Sequence, residues 1–160
     1  MKELVGIAEQ VAAKLIARKQ TIAVAESSTG GLISAGLLAV PGASAYFLGG
    51  AVVYTRDARR VMIDISDEGM KGFRSSSEPY AKLLAEQMRS RFNCDWGLSE
   101  TGAAGPTGNR YGDAAGHSCM AVAGPAAEVI TLETGGNDRL ANMQVFATTA
   151  LKLLLRKLSE

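Results

Sequence analysis

The chain has 160 residues, of which 47% are hydrophobic and 21% charged, and its formal net charge is +1. This composition is typical of one globular domain with a substantial core and excludes an intrinsically disordered chain. A net charge near zero without a basic stripe argues against nucleic-acid binding, because phosphate backbones require clustered lysine and arginine. We therefore expect a single domain over residues 1–160 and no nucleic-acid partner.

Three further features bear on metal binding and localisation. Cys94 and Cys119 lie far apart and lack clustered partners, so we expect buried reduced thiols and no metal site. The first residues contain no apolar export signal, which predicts a cytoplasmic protein. Residues 27–55 carry no charge, but Pro41-Gly42 and several serines and glycines interrupt them. We expect a buried helix, a turn and a buried strand there, not a membrane span.

Helical and strand patterns alternate along the chain. Apolar side chains at helical spacing predict a first helix over residues 3–18, followed by a strand at 21–25. Ser77-Glu78-Pro79 is typical of a helix start, because serine caps the helix and proline needs no amide partner there. Further helices are predicted at 32–40, at 55–60 as a single turn, at 77–91 and from about 137 onward, and further strands at 50–54, 95–99, 117–123 and 128–133.

The order of these elements predicts the fold class. Helices that alternate with strands before a late antiparallel hairpin indicate an α/β fold: three α/β/α layers with a mixed, mostly parallel sheet. In such sheets, ligands bind beyond the carboxyl ends of parallel strands. Two loops of small residues, 26–31 and 100–108, follow predicted strands. If those strands are parallel neighbours, both loops face the same crevice.

The first of these loops is the strongest local indication of chemistry. Residues 25–31, AESSTGG, read as the end of a strand, a tight turn and the start of a helix. Unpaired amides and the positive end of the helix dipole would stabilise a phosphate, a carboxylate or an oxyanion at that point. Glycines let a substrate approach the backbone closely. The alternative is that Ser27 only caps the following helix.

Four segments occur in the order that is typical of one family: AESSTGG at 25–31, VVYTRDAR at 52–59, SEP at 77–79 and TGAAGP at 101–106. Over nearly its whole length the chain resembles the C-terminal domain of the CinA (competence- and damage-inducible) proteins. Stand-alone members of that family are nicotinamide-nucleotide amidases. The resemblance therefore implies hydrolysis of nicotinamide mononucleotide without metal or cofactor, and a homo-oligomeric protein.

The resemblance also implies roles for individual residues. Ser27 would be the nucleophile that attacks the carboxamide, with Tyr54 near it and position 59 supplying the general base. The amides of the Gly30-Gly31 helix start would bind the oxyanion, and Arg139 would bind the nucleotide phosphate. The other implied substrate-binding positions are Ser28, Thr29, Gly30, Gly31, Thr101, Gly102 and Gly105.

Two of these positions depart from the family pattern. Ser28 stands where the family has cysteine, and Arg59 stands where it has the base lysine. Because arginine stays protonated in proteins, Arg59 cannot take the proton of Ser27 in the usual way. Tyr54, Glu26 or His117 would have to replace it. Otherwise the chain is a nucleotide-binding module without turnover, or an amidase for another small amide whose carboxylate pairs with Arg59.

Structural roles are the competing interpretation at each position. Tyr54 ends a predicted strand, Arg59 lies in a charged turn, and His117 begins a later strand. Thr101 and the neighbouring glycines could simply form a turn. Arg139, by contrast, falls in the first turn of a helix, where the dipole disfavours a cation, and this hints at an anion nearby.

Overall fold

The computed structural model describes residues 1–160 and contains five α-helices and five strands. The helices are α1 (Lys2–Arg18), α2 (Leu32–Leu38), α3 (Arg56–Ile63), α4 (Glu78–Phe92) and α5 (Arg139–Leu158). The strands are β1 (Ile22–Glu26), β2 (Phe47–Val52), β3 (Trp96–Ala103), β4 (His117–Ala123) and β5 (Glu128–Glu133).

The strands form one mixed sheet in the order β2-β1-β3-β4-β5. β1 is parallel to both β2 and β3, whereas β4 is antiparallel to β3 and to β5. Four strands therefore run in one direction and β4 alone runs in the other. α1, α2 and α5 pack on one face of the sheet, and α3 and α4 pack on the other. The predicted three-layer α/β fold and its late hairpin are confirmed.

Side-chain caps fix the starts of the three helices that border the carboxyl ends of the parallel strands. The Thr55 hydroxyl accepts from the amide of Ala58 at 3.0 Å and so caps α3. Ser77 caps α4, as predicted, and Asp138 caps α5. These caps satisfy amides that would otherwise lack partners, and they fix where Arg59 and Arg139 leave the backbone.

The uncharged segment 27–55 differs from its prediction in one respect. β2 is the edge strand of the sheet, and its residues are alternately exposed, so it is not a buried strand. Leu48 and Val52 are 44% and 39% exposed. The predicted association of copies of this chain stays a prediction. None of the helices combines the length and apolar character that crossing a membrane would require.

Two strand boundaries also differ from the prediction, and both affect the candidate site. β2 begins and ends earlier than expected, so Tyr54 lies beyond the strand and not at its end. β3 continues to Ala103 because β4 pairs with its last residues, with Thr101 opposite Cys119. Thr101 and Gly102 therefore belong to a strand, and the loop begins only at Ala104.

The packing of α4 on β3 depends on a missing side chain. A Cβ atom at Gly97 would lie 2.0 Å from the carbonyl oxygen of Ala85 in α4. Because backbone cannot yield there without moving the whole helix, any side chain at Gly97 would separate α4 from the sheet.

We expect Gly97→Ala to lower the free energy of unfolding by about 2 to 3 kcal/mol, because overpacking forces backbone shifts. Gly6→Ala is the matched control, since a Cβ atom at Gly6 of α1 meets nothing within 4 Å. That variant should stabilise the chain by about 0.5 to 1 kcal/mol through helix propensity. Urea denaturation measures both changes. Equal effects of the two substitutions would contradict the close approach at Gly97.

His117 holds the segment between α3 and α4 against the sheet. Its Nδ1 lies 2.5 Å from a carboxylate oxygen of Glu133, and its Nε2 lies 2.7 Å from the carbonyl oxygen of Ser76. Ser76 has a φ of 57°, which is uncommon for a residue other than glycine. Because both partners only accept hydrogen bonds, both ring nitrogens must donate, and this requires the imidazolium form.

The electrostatics agree with this protonation. Burial by itself lowers the pKa of His117, but the hydrogen bonds to Glu133 and Ser76 and the charge of Asp113 outweigh it, so that the pKa lies above its ordinary value. A raised pKa in the folded state stabilises the fold fully below the ordinary histidine pKa. That contribution is lost as the pH rises through the raised value.

We therefore expect His117→Gln to lower the free energy of unfolding by about 1 to 3 kcal/mol at pH 6, because a buried partner is left unsatisfied. The difference between the two proteins should shrink as the pH rises to 9, as the native histidine loses its proton. Chemical denaturation at a series of pH values measures this. A difference that stays constant from pH 6 to pH 9 would show that His117 is not charged in the folded chain.

Candidate active site

The parallel strands β2, β1 and β3 place the predicted site residues at their carboxyl ends. These strand ends form one edge of the sheet. Glu26 at the end of β1 pairs with Val52 at the end of β2, and the amide of Val53 donates to the Glu26 carbonyl at 2.7 Å. On its other side β1 pairs with β3, with Ala25 opposite Ser99. The strands before the two small-residue loops are therefore parallel neighbours, and both loops follow the same edge, as expected.

The segment after β1 forms the predicted turn between strand and helix. The amide of Gly30 donates to the carbonyl of Ser27 at 3.1 Å. Gly30 and Gly31 have φ values of 64° and 104°, which side chains disfavour. Ser27 is half-buried, and its hydroxyl makes no hydrogen bond within the chain. It is therefore the uncommitted polar side chain of this turn.

Glu26 occupies the amino end of α2. Its carboxylate is fully buried and accepts from the amides of Gly31, Ile33 and Ser34 at 3.1, 3.0 and 2.8 Å. The prediction that the Gly30-Gly31 helix start donates to an oxyanion is therefore wrong, because Glu26 and the Ser27 carbonyl already use those amides. Glu26 cannot replace the base lysine either, since its carboxylate faces the helix.

Glu100 holds the same turn from β3, and the sequence analysis missed it. One of its carboxylate oxygens accepts from the amides of Ser27 and Thr29 at 3.1 and 3.0 Å, and the other contacts the hydroxyls of Ser28 and Ser118. Burial raises the pKa of the Glu100 carboxyl, and the hydrogen bonds from Ser28 and Thr29 oppose this only in part. The available signal was an acidic residue inside an otherwise uncharged strand, Trp96–Ala103.

The hydroxyls of Ser28, Thr29 and Thr101 are all used by the protein. Ser28 bonds to Glu100, whereas Thr29 lies 2.7 Å from Glu26 and 2.9 Å from Glu100. Thr101 accepts from the amide of Ser76 at 3.1 Å. All three residues are at most 6% exposed. Their side chains hold the turn and the segment before α4, and their predicted contacts with a substrate stay a prediction.

Arg139 joins three of the predicted positions. Its guanidinium donates to the Tyr54 hydroxyl at 3.2 Å and to the carbonyl of Gly105 at 2.5 Å. Met143, one helical turn later, reaches Gly30: its terminal carbon lies 3.2 Å from where a Cβ atom of that glycine would be. The start of α5, Tyr54, the 104–105 loop and the Ser27 turn therefore meet at one place. Arg139 has no carboxylate partner, so its charge is free to bind an anion.

Gly102 has a structural role in β3. A Cβ atom there would lie 2.6 Å from the carbonyl oxygen of His117 and from Cβ of Ser118. The absence of a side chain at Gly102 therefore lets β4 approach β3 closely, and the predicted substrate contact of this residue stays a prediction.

Arg59 lies apart from Tyr54 and Arg139. It donates to the Ser75 hydroxyl at 3.3 Å, and its guanidinium carbon lies 5.5 Å from the ring centre of Tyr80. Its Nε is buried without a hydrogen-bond partner. Burial raises the pKa of Tyr80, and the contact with Arg59 partly opposes this.

The alternation of side chains along β1 tells which residues share a face. Ala23 and Ala25 pack with Tyr80 and α4, whereas Ile22 and Val24 pack with α1, α2 and α5. Arg59 packs on Tyr80, so it lies on the face of Ala23 and Ala25. Ser27 lies beyond the end of β1, in the turn, at the edge that Tyr54 and Arg139 border.

The three alternative residues for the general base differ in whether their titratable atoms are accessible. Glu26 is committed to α2, and both ring nitrogens of His117 are committed to Glu133 and Ser76. Tyr54 is 59% exposed, and its oxygen accepts a hydrogen bond from Arg139. Among the three alternatives, Tyr54 alone has an accessible titratable atom at this edge.

Two grooves of the chain lie away from these residues. One, of about 410 Å³, runs between the start of α1 and α5 and is lined by Leu4 and Lys152. Another, of about 570 Å³, lies between α4 and β5 and is lined by Leu83 and Val129. The candidate site lies at the carboxyl ends of the parallel strands.

Comparison with known proteins identifies the family. The sequence model of the CinA C-terminal domain matches residues 5–158. CinA-like proteins from Gloeobacter violaceus and Desulforapulum autotrophicum are 36% and 34% identical to 95% and 98% of the chain, which spans 36% and 37% of their lengths. The chain thus spans little more than a third of these relatives.

Solved structures agree with this assignment. The competence damage-inducible protein A from Klebsiella pneumoniae superposes with a TM-score of 0.91 at 25% identity over 98% of both chains. The competence/damage inducible protein CihA from Agrobacterium tumefaciens gives 0.89 at 26% identity, over 99% of this chain and 96% of that one. The sequence match, the shared fold and the arrangement of the β1 turn together show that this chain belongs to the CinA C-terminal domain family.

Proposed function

We propose that the chain hydrolyses the carboxamide of nicotinamide mononucleotide, with Ser27 as nucleophile. One observation carries the proposal. Ser28 and Thr29 are buried and hydrogen-bonded to carboxylates, whereas the hydroxyl of Ser27 is accessible and has no partner in the chain. A rigid turn that leaves a single hydroxyl uncommitted is the arrangement that a nucleophile requires.

The reaction follows from that placement. Ser27 Oγ attacks the carboxamide carbon, the carbon–nitrogen bond of the tetrahedral intermediate breaks, and ammonia leaves. Water then hydrolyses the ester and releases nicotinate mononucleotide and free Ser27. The amide of Ser28 makes no hydrogen bond within the chain, so it is the donor that we assign to the oxyanion.

Tyr54 is the residue that we assign to the proton of Ser27. The guanidinium of Arg139 donates to the Tyr54 oxygen at 3.2 Å. A charged donor stabilises negative charge on the oxygen that it contacts, so it favours the phenolate form of Tyr54, which takes the proton of Ser27 and passes it to the leaving nitrogen. Arg59 has no such role, because a guanidinium does not give up its proton.

Arg139 binds the phosphate of the nucleotide in this proposal. Its planar fork matches the geometry of phosphate oxygens, and no carboxylate of the chain neutralises it. Its contacts within the chain are the Tyr54 oxygen and the carbonyl of Gly105, and neither is a carboxylate. The substrate would therefore extend from Ser27 towards the start of α5.

A second candidate function is nucleotide binding without turnover. Arg59 favours it, because the family's base position is occupied by a cation that is fixed by Ser75 and Tyr80. Such a module keeps the phosphate contact of Arg139 and lacks only proton transfer.

Ammonia release from nicotinamide mononucleotide tests the proposal. We expect release by the unmodified chain, unchanged by EDTA, and a fall of at least about a hundredfold in Ser27→Ala, because the nucleophile is lost. Ser44→Ala is the matched control, since Ser44 is an exposed serine at the opposite end of β2. Its rate should equal that of the unmodified chain.

Three results would separate the candidates. Equal ammonia release by Ser27→Ala and the unmodified chain would overturn the role of Ser27. Binding of the nucleotide without ammonia release, measured by calorimetry, would establish the binding module. Neither binding nor release would overturn both.

A further inference from the structure

Arg59 is a fixed cation that lacks an anionic partner. The other arginines of α3 have one: Arg60 lies 3.4 Å from Asp57, and Arg56 lies 3.7 Å from Asp67. Arg59 has only the neutral hydroxyl of Ser75 and the ring of Tyr80. A guanidinium that is partly withdrawn from water without a counter-charge is costly, so bound anions are favoured there.

The guanidinium is oriented with one nitrogen still accessible. Nε is buried without a partner, and Nη1 is used by Ser75. Nη2 makes no hydrogen bond and is not among the buried unpartnered atoms, so it keeps contact with solvent. The guanidinium of Arg59 packs over the ring of Tyr80, and this contact fixes its orientation. A ligand that binds Nη2 would therefore meet a donor that is already oriented.

The position of Arg59 relative to Ser27 sets what can reach it. A series of contacts links the two. Glu100 of β3 holds the Ser27 turn, and the next residue, Thr101, accepts from the amide of Ser76, the neighbour of Ser75. Arg59 packs on Tyr80 on one face of the sheet, whereas Arg139 of α5 borders the opposite face. A nucleotide with its phosphate at Arg139 would thus extend its pyridine substituent past Ser27 towards Arg59.

We propose that Arg59 is a carboxylate-binding residue, and that the chain binds the pyridine nucleotide in its carboxylate form more tightly than in its carboxamide form. The inference rests on the proposed function for the placement of the nucleotide. A carboxylate presents two acceptor oxygens to the donor fork of arginine. A carboxamide presents one acceptor and an NH₂ group, whose hydrogens face a group that has only donors.

Hydrolysis creates that carboxylate next to Arg59. The carbon–nitrogen bond of the amide is replaced by a carbon–oxygen bond to water, and the nitrogen leaves as ammonia. The product therefore gains the charge that Arg59 lacks, so it should be retained and compete with the substrate. In the module without turnover, the same residue makes the chain a receptor for the acid nucleotide.

Calorimetric titration with nicotinamide mononucleotide and nicotinate mononucleotide tests the inference. The titrations use Ser27→Ala, so that neither nucleotide is converted. We expect the acid to bind at least about tenfold more tightly, the difference that a hydrogen bond to a charged group supports. Adding Arg59→Met should abolish the preference, and adding Arg59→Lys should keep part of it, because lysine keeps the charge without the fork.

The outcomes distinguish this inference from the proposed function. Equal affinity for the two nucleotides, or an acid preference that persists in Arg59→Met, would overturn the role of Arg59 and leave the proposed function standing. Absence of binding by both nucleotides would overturn both. Thermal melting of the two Arg59 variants checks that each is folded, and Arg59→Lys supplies the comparison if Arg59→Met is not.

Discussion

Two buried carboxylates beneath one turn are the constraint on which the site depends. Glu26 and Glu100 take the positions that follow the paired residues Ala25 and Ser99 on neighbouring strands, so two acids lie side by side inside the protein. They are tolerated because amides and hydroxyls of the turn surround them. The hydroxyl of Thr29 lies within hydrogen-bond distance of both carboxylates but has a single hydrogen to donate. Burial raises the pKa of the Glu100 carboxyl. The turn cannot shift without leaving buried charge unsatisfied.

This arrangement decides which polar groups remain for chemistry. In an ordinary turn before a helix, the first amides are free and can bind an anion. Here Glu26 accepts from three amides of that region, and Glu100 accepts from the amide of Ser27. The hydroxyl of Ser27 and the amide of Ser28 are what is left. Two arginines, Arg59 and Arg139, have no carboxylate partner: Arg139 contacts Tyr54, whereas Arg59 contacts Ser75 and Tyr80.

Much of the fold could be predicted from the sequence, because its signals are local. The turn at Gly30-Gly31, the cap at Ser77 and the hairpin of β4 and β5 follow from glycine, capping residues and short connections. The edge position of β2 and the length of β3 could not be predicted in this way. Each is set by which strand pairs with which residue, and pairing joins segments distant in sequence.

The site residues also differ in whether local sequence signals or strand pairing determine their positions. Ser27, Tyr54 and Arg139 lie at one edge of the sheet because each follows or begins an element that the sequence predicts, and their roles stay a prediction. The roles of Glu26 and Glu100 depend on the register between β1 and β3, which no local pattern specifies. For the same reason the sequence does not show that the hydroxyls of Ser28 and Thr29 fix the turn, or that Thr101 holds the segment before α4.

A crystal structure of Ser27→Ala with nicotinamide mononucleotide tests the central claim most directly. The account predicts the phosphate at Arg139 and the carboxamide carbon about 3 to 3.5 Å from the position of the missing hydroxyl, the separation from which attack proceeds. The turn should keep its bonds to Glu26 and Glu100. A nucleotide bound away from this edge, or a turn released from the two carboxylates, would contradict it.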